Sequence, residues 1–261
     1  MTTSTTPIKK FIKVVCVLCF WILVWQIISM AVGIELLVPS PLVTLKTWLG
    51  LVVTKIFWLS AIYSLLRILL GFLLAVVFGC VLGFATYKFG ILKTLLSPIL
   101  HIISAVPVVS FIILALVWIK TDTLPIFISF LMVLPMIWQT VFGALSQIDK
   151  KLIEMARVYK FKKTKVFSKI VIPSIIPPFI TSCITGLGFS WKSGIAAEVL
   201  CLPKIAIGKQ LFNSKIYLET AEVFAWTITI IILSILFETV LKFAIKKYTT
   251  SYRKDGANIA D

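Results

Sequence analysis

The chain has 261 residues, 60% of them hydrophobic and only 14% charged, with a mean hydropathy of +1.07 and a formal net charge of +16. Soluble proteins carry about 25% charged and about 45–50% apolar residues, and a chain this short cannot hide the excess in one core. A secreted disulfide scaffold, a disordered chain and an ordinary soluble enzyme fit poorly; the composition is that of an all-α polytopic membrane protein.

In chain order, residues 1–10 read as a cytoplasmic N-terminal tail, 11–247 as one transmembrane domain and 248–261 as a cytoplasmic C-terminal tail. Six apolar stretches have the length of a membrane-crossing helix. The first, Phe11 to Val32, follows a basic flank and is too long for the apolar part of a cleaved signal, so it reads as a signal anchor. Next, Leu42 to Ala61 is apolar but carries Lys46 and Lys55; with Ser40 as cap and Pro41 as first helical residue it reads as an interfacial helix on the outer face. The second span is Ser60 to Tyr87, the third Leu95 to Ile119, with Pro98 and Pro107 as sites of a kink, and the fourth Leu124 to Leu145. The fifth begins after Pro173 and ends near Leu200; Pro177, Pro178, Gly186, Gly188 and Gly194 point to a kinked or broken helix of the kind that lines a pathway. The sixth runs from about Val223 to Phe243. In the second span, Gly79 and Gly83 have the spacing of a close helix–helix contact.

The positive charge is unevenly placed. Eighteen of the 26 Lys and Arg residues fall on the side of the termini and of the second-to-third and fourth-to-fifth loops, against six on the other side. Both termini are therefore expected in the cytoplasm, and the charge records orientation rather than nucleic-acid binding. A seventh span at Leu42–Ala61 would put the basic fourth-to-fifth loop outside.

That loop, residues 146–172, holds eight basic residues. Asp149 can cap a helix from Lys150 to about Tyr159, with Leu152, Met155, Ala156 and Tyr159 on one side. Thr164 can cap a second helix from Lys165 to Ile172, ended by Pro173. On composition alone the loop is a basic linker lying on anionic headgroups of membrane lipid.

The loop also resembles the "EAA" loop in integral membrane subunits of binding-protein-dependent ABC importers, whose pattern is E-A-A, three residues, G, nine residues, then I-x-L-P. The chain has Glu154-Met155-Ala156, then Arg157-Val158-Tyr159, then Lys160 in place of Gly, and nine residues later Ile170-Val171-Ile172-Pro173. Pro39-Ser40-Pro41, Ser64 to Phe84, Leu96 to Trp118 and Phe189 to Leu200 are similar, in order, to the nitrate/sulfonate/taurine-type branch. The resemblance implies a permease subunit in the bacterial inner membrane, paired with a second permease copy, fed by an extracytoplasmic substrate-binding protein and driven by a cytoplasmic ABC ATPase dimer. Glu154, Met155, Ala156, Arg157, Tyr159 and Lys160 would then form the coupling helix. ATP and Mg would belong to the ATPase; the chain contains no G-x-x-x-x-G-K-[ST] and needs no cofactor of its own. The branch implies a small anion such as a sulfonate or nitrate, or a vitamin or precursor. The missing Gly matters physically: if the helix ends there at positive φ, Lys160 carries a strain of about 1–2 kcal/mol that Gly would not.

Charges within spans are functional candidates by default. Arg67 lies in the outer half of the second span, and Lys192 and Glu198 lie late in the fifth, six residues apart and so on different faces. They serve either as structural pairs or as an electropositive outer gate. Ser190, Trp191 and Ser193 are the polar and aromatic pathway candidates beside them. The single His101, amid apolar residues, reads as a packed, hydrogen-bonded side chain, and Cys16 and Cys19, though spaced CxxC, as packing. No metal-ligand cluster or catalytic set stands out, which disfavours a membrane enzyme. A self-contained secondary transporter and a lipid-binding membrane scaffold are the remaining alternatives.

Overall fold

The computed structural model describes the backbone of residues 7–257. Its elements are all helical: α1 (Pro7–Val32), α2 (Pro41–Val52), α3 (Lys55–Lys88), α4 (Gly90–Ala105), α5 (Val108–Ala115), α6 (Leu124–Ser146), α7 (Lys150–Val158), α8 (Lys163–Val166), a π-helical turn (Phe167–Val171), α9 (Ile172–Cys201), α10 (Ile207–Ile216) and α11 (Thr220–Ala257). Five helices are long and apolar enough to cross a membrane, and the α4–α5 pair makes a sixth crossing if taken together. Residues 7–10 and 248–257, read as tail, extend α1 and α11; the rest of both expected tails lies outside the described residues.

Three spans form the core, and small residues set their spacing. Gly71, Ala75, Gly79 and Gly83 recur every four residues along one face of α3 and are buried against α6. A Cβ on Gly79 would sit 2.7 Å from Cβ of Ile137, and one on Gly83 2.7 Å from Cβ of Val141. The matched register of 79 with 137 and 83 with 141 makes α3 and α6 parallel. Without a hydrophobic drive between helices in lipid, this close backbone approach supplies the dispersion contact that holds them. The expected packing role of Gly79 and Gly83 is thus met, with Gly71 and Ala75 completing the seam. α9 runs antiparallel to α6: Thr140 donates to Ser182 at 3.0 Å, Gly186 faces Val133, and Ser129 donates to the carbonyl of Ser190 at 3.1 Å.

Of the two kink sites expected in the third span, Pro107 is one and Pro98 is not: α4 and α5 meet at 104° around Val106–Pro107. A residue before proline is driven out of the helical region, and Val106 has φ −79°, ψ 135°, while Pro98, with the helix intact around it, sits inside α4. The pair still carries the chain from one end of the bundle to the other, because Gly90 follows the end of α3 while Asp122, beyond α5, contacts Arg67 near the start of α3. The fifth span, expected from Pro177, Pro178, Gly186, Gly188 and Gly194 to be a kinked or broken helix, is unbroken from Ile172 to Cys201, and the irregular turn is the π turn before it. Pro173 therefore does not end a loop helix but opens α9, and Thr164 is inside α8, whose N-cap is Lys162.

The outer segment also divides. Ser40 caps α2 through Val43 N–H at 3.3 Å with Pro41 as first helical residue, as expected, but the chain turns at Val53–Thr54 and Lys55 to Ala61 already belong to α3. α1 stands largely apart from its own protomer. Its anchors are Trp25, which donates to the Pro39 carbonyl at 3.1 Å and stacks on Phe224, and Ser29, which donates to the Val38 carbonyl at 2.9 Å. α3, α6 and α11 all run toward the end that carries α7, so α1 begins and α11 ends on the side of the basic loop.

Candidate functional site: two charged ends and an open helix face

At one end of the bundle the in-span charges are gathered into a knot. Arg67, on α3, lies 3.4 Å from the Asp122 carboxylate and 3.7 Å from that of Glu198 on α9, and donates to the Ile205 carbonyl at 2.6 Å. Ser64, one turn before Arg67, donates to Glu198 at 2.6 Å and accepts from the Ile207 N–H at 2.9 Å. The Gly208 N–H donates to the same Glu198 oxygen at 3.2 Å, so the carboxylate sits on the first turn of α10 where free backbone N–H groups favour negative charge. Gly is required at 208: a Cβ there would fall within 2.5 Å of Glu198 Cβ and 2.6 Å of the Val199 nitrogen. Asp122 further accepts from Lys204 N–H at 3.1 Å. One buried acid and one nearly buried base thus fasten α3, α9, α10 and the α5–α6 turn together.

The sequence reading found Arg67 and Glu198 but missed Ser64, Asp122 and Gly208. A signal existed for two of them. Ser64 lies three residues from Arg67 on the same helix face, and Asp122 is the only acid between Glu35 and Asp149. Nothing in the sequence marks Gly208.

Lys192 is not part of this knot. It is exposed on the opposite side of α9 and, among the described residues, has no acidic partner within ion-pair distance. Ser190, Trp191 and Ser193 are placed differently from Lys192: all three are buried inside the protomer. The Trp191 indole donates to the Ile230 carbonyl at 3.2 Å and stacks on Phe237, and the Ser190 and Ser193 hydroxyls bond carbonyls of their own helix. The uncovered face of α9 is instead Ser174, Thr181, Thr185, Phe189 and Lys192, with Gly188 between them facing open space. These positions recur at three- and four-residue spacing, one stripe along a helix.

At the other end, α7 has the expected cap, with Asp149 accepting from Lys151 N–H at 2.9 Å. Its end is the positive-φ turn anticipated from the missing Gly. Lys160 has φ 52°, Phe161 N–H donates to the Ala156 carbonyl at 2.9 Å, and Lys160 N–H to the Arg157 carbonyl at 3.0 Å. That paired bond pattern is the Schellman termination, which Gly normally makes without strain. The helix divides into two faces. Ala156 is 1% exposed and Ile153 half-buried toward the bundle; Leu152, Met155, Val158 and Tyr159 are exposed, the last two at 78% and 69%. Of the four residues expected on one side, Ala156 is thus turned inward. Glu154, Arg157 and Lys160 are exposed as well.

His101 is not packed in the core: it is exposed on α4, with Nδ1 2.6 Å from the Ser97 carbonyl one turn back. No group of three potential metal ligands occurs among the described residues.

Among the described residues, five apolar helices long enough to cross a membrane, with a sixth crossing if the bent pair is taken together, define a polytopic membrane protein. The chain belongs to the family described as the binding-protein-dependent transport system inner membrane component, whose model matches residues 75–253. It is a multi-pass inner-membrane permease subunit of an ABC importer. It is similar to a probable ABC transporter permease protein of Brucella melitensis, 27% identical over 236 residues that cover 86% of this chain and 95% of the relative. The nitrate import permease protein of Synechococcus elongatus is 30% identical over 205 residues, 74% of this chain and 73% of its own. The taurine transport system permease protein of Escherichia coli is 23% identical over 231 residues, covering 86% and 84%. The fold is shared with an inward-facing structure of the MetNI methionine ABC transporter, at a TM-score of 0.60 and 16% identity over 76% of this chain and 98% of that one.

Proposed function

We propose that the chain, with a second copy of itself, forms the pathway of an importer for small anions such as nitrate or sulfonates, with a vitamin or precursor as the other substrate class. A cytoplasmic ATPase dimer drives it through α7, and an extracytoplasmic binding protein delivers the substrate. ATP hydrolysis then resides in the partner. The observation that carries this reading is α7 itself. It is a capped helix fixed to the bundle by its inner face and terminated by a strained Lys160, leaving Leu152, Met155, Val158 and Tyr159 exposed at the basic end. Exposed apolar side chains ringed by charge mark a protein contact. The positive-inside bias puts this end in the cytoplasm, where an ATPase is available.

The α9 stripe supports the pathway half. Lys192 on a spanning helix is unfavourable against lipid, and an intramembrane cation turned away from the rest of its chain is stabilised by a watery cavity or a second subunit. Names of relatives that specify nitrate, aliphatic sulfonates, taurine and bicarbonate support an anionic substrate. Purification of the full chain from its native membrane in mild detergent tests the assembly: a stoichiometric ATPase should accompany it, and Met155→Glu should release that ATPase while the chain still folds. Recovery of the folded chain with no ATPase under conditions that preserve other importers would overturn the reading.

A further inference from the structure

A cavity of about 610 Å³ lies between α7 and the ends of α3 and α6, separate from both the charge knot and the α9 stripe. Its inner wall is apolar, made by Phe84, Leu145, Ile148, Ile153, Phe167 and Val171. Its rim carries three cations, Lys88, Lys150 and Arg157, against one acid, Glu154, with the side chains of Tyr87 and Ser146 beside them. Phe84 and Phe167 touch across the cavity wall, their ring centres 6.1 Å apart. The depth follows from the elements: Phe84, Tyr87 and Lys88 are the last turn of one span and Leu145 and Ser146 the last turn of another. Aromatic residues followed by cations at span ends mark the headgroup level of a bilayer.

We propose that this cavity binds the headgroup and glycerol region of an anionic phospholipid, and that the bound lipid braces α7 against the spans. Three observations select this occupant. The net rim charge is positive, so the ligand is an anion. Six apolar side chains behind the rim would be wasted on a bare inorganic anion but suit the glycerol and first methylenes of a lipid. A basic hollow between span ends, at headgroup depth, is where anionic lipid is most concentrated. Because Ile153, Glu154 and Arg157 line the cavity on one side and Leu152, Met155 and Tyr159 are exposed on the same helix, an occupant here changes how firmly α7 is held. The proposal rests on the membrane placement of this end but not on ATPase coupling, so it is tested on the permease alone and fails separately.

The test is titration of the purified full chain in detergent with phosphatidylglycerol, followed by native mass spectrometry, with phosphatidylcholine as neutral probe and inorganic phosphate as soluble competitor. Phosphatidylglycerol should bind and phosphatidylcholine should not compete. Lys88→Gln with Lys150→Gln should weaken phosphatidylglycerol about tenfold or more, since each cation near a lipid surface contributes substantially. Lys162→Gln with Lys163→Gln, the same charge loss at the same end but away from the cavity, should change it by less than about twofold. Lys88→Arg with Lys150→Arg should retain binding, and Ile153→Trp, which fills the cavity with all charges kept, should abolish it. Equal weakening by both Gln pairs, equal binding of phosphatidylcholine, undiminished binding in Ile153→Trp, or full displacement by millimolar inorganic phosphate would each overturn the proposal.

Discussion

The two ends of the bundle handle charge in opposite ways. At the Arg67 end, one guanidinium, two carboxylates, a hydroxyl and three backbone N–H groups converge within hydrogen-bonding or ion-pair distance, and Glu198 is fully buried. At the α7 end, eight basic side chains lie in one loop, and among the described residues none of them is within ion-pair distance of an acid. Charges removed from water must be satisfied by the fold, so the first arrangement admits one geometry and fixes α9 and α10 relative to α3. Charges left in water impose almost nothing on the backbone, so α7 is held by little more than Ala156, Ile153 and its caps. One end is thus fixed and the other loosely held, which is the division of labour that the proposed coupling through α7 needs.

The largest test of this contrast is Glu198→Ala. Removing one partner of a buried ion pair costs about 3–5 kcal/mol when the other is left uncompensated; Arg67 keeps Asp122, which sets the loss toward the lower end of that range, but the change also uncaps α10. Thermal unfolding of the purified permease in detergent should show a large drop, whereas Arg67→Leu combined with Glu198→Leu should be milder than the single change because the one charge left behind, Asp122, is half-exposed and still accepts from the Lys204 N–H. Equal losses would mean that the knot matters only through helix capping. At the other end, the one buried position of α7 should behave like core. Ala156→Leu overpacks a site with 1% exposure and should cost about 1–3 kcal/mol, visible as lost ATPase co-purification at lower temperature than wild type; an unchanged complex would show that α7 is even looser than its burial implies.

This same contrast explains what could be read from the chain beforehand. Span positions and the α7 limits follow from local chemistry: apolar length, Asp149 as cap, Gly79 and Gly83 at four-residue spacing. The left-handed Lys160 was one of two readings: a motif that uses Gly at that position suggests the conformation, but without the Gly the turn could equally have fallen elsewhere in Tyr159 to Thr164. The Arg67 knot was half legible. A cation inside a span demands a partner, but its partners Asp122 and Ile205 are 55 and 138 residues away, and only folding brings them together. The facing of Ser190, Trp191 and Ser193 was not legible because both the buried and the open face of α9 carry polar residues, so periodicity does not say which face meets α6. Pro107 is a kink site as expected, but Pro98, Pro177 and Pro178 look the same in sequence and sit inside unbroken helices; only Pro107 follows a residue released from the helix.

Lys160→Gly probes the strain at the loosely held end. An L-residue in the left-handed region costs about 1–2 kcal/mol, part of which is offset because Gly loses more freedom on folding. The variant should therefore be neutral to about 1 kcal/mol more stable, measured as thermal stability and ATPase association of the complex; a clear loss of association would mean that the Lys160 side chain itself contacts the partner.

The smallest effect on stability, and the sharpest on function, is expected at Lys192. It shares α9 with Glu198 yet lies on the open face, without an acidic partner among the described residues, so Lys192→Gln removes no intraprotomer interaction and should shift stability by less than about 0.5 kcal/mol. A cation facing a pathway acts on a passing anion through Coulomb attraction that a neutral amide cannot replace. Uptake in vesicles containing the whole importer should fall while ATPase association and unfolding temperature hold, and Lys192→Arg should restore much of the uptake. Unchanged uptake in a normally folded Lys192→Gln variant would remove Lys192 from the pathway. A large stability loss would instead make it a subunit-interface residue, moving the open face of α9 from the loosely held half of the molecule to the fixed one.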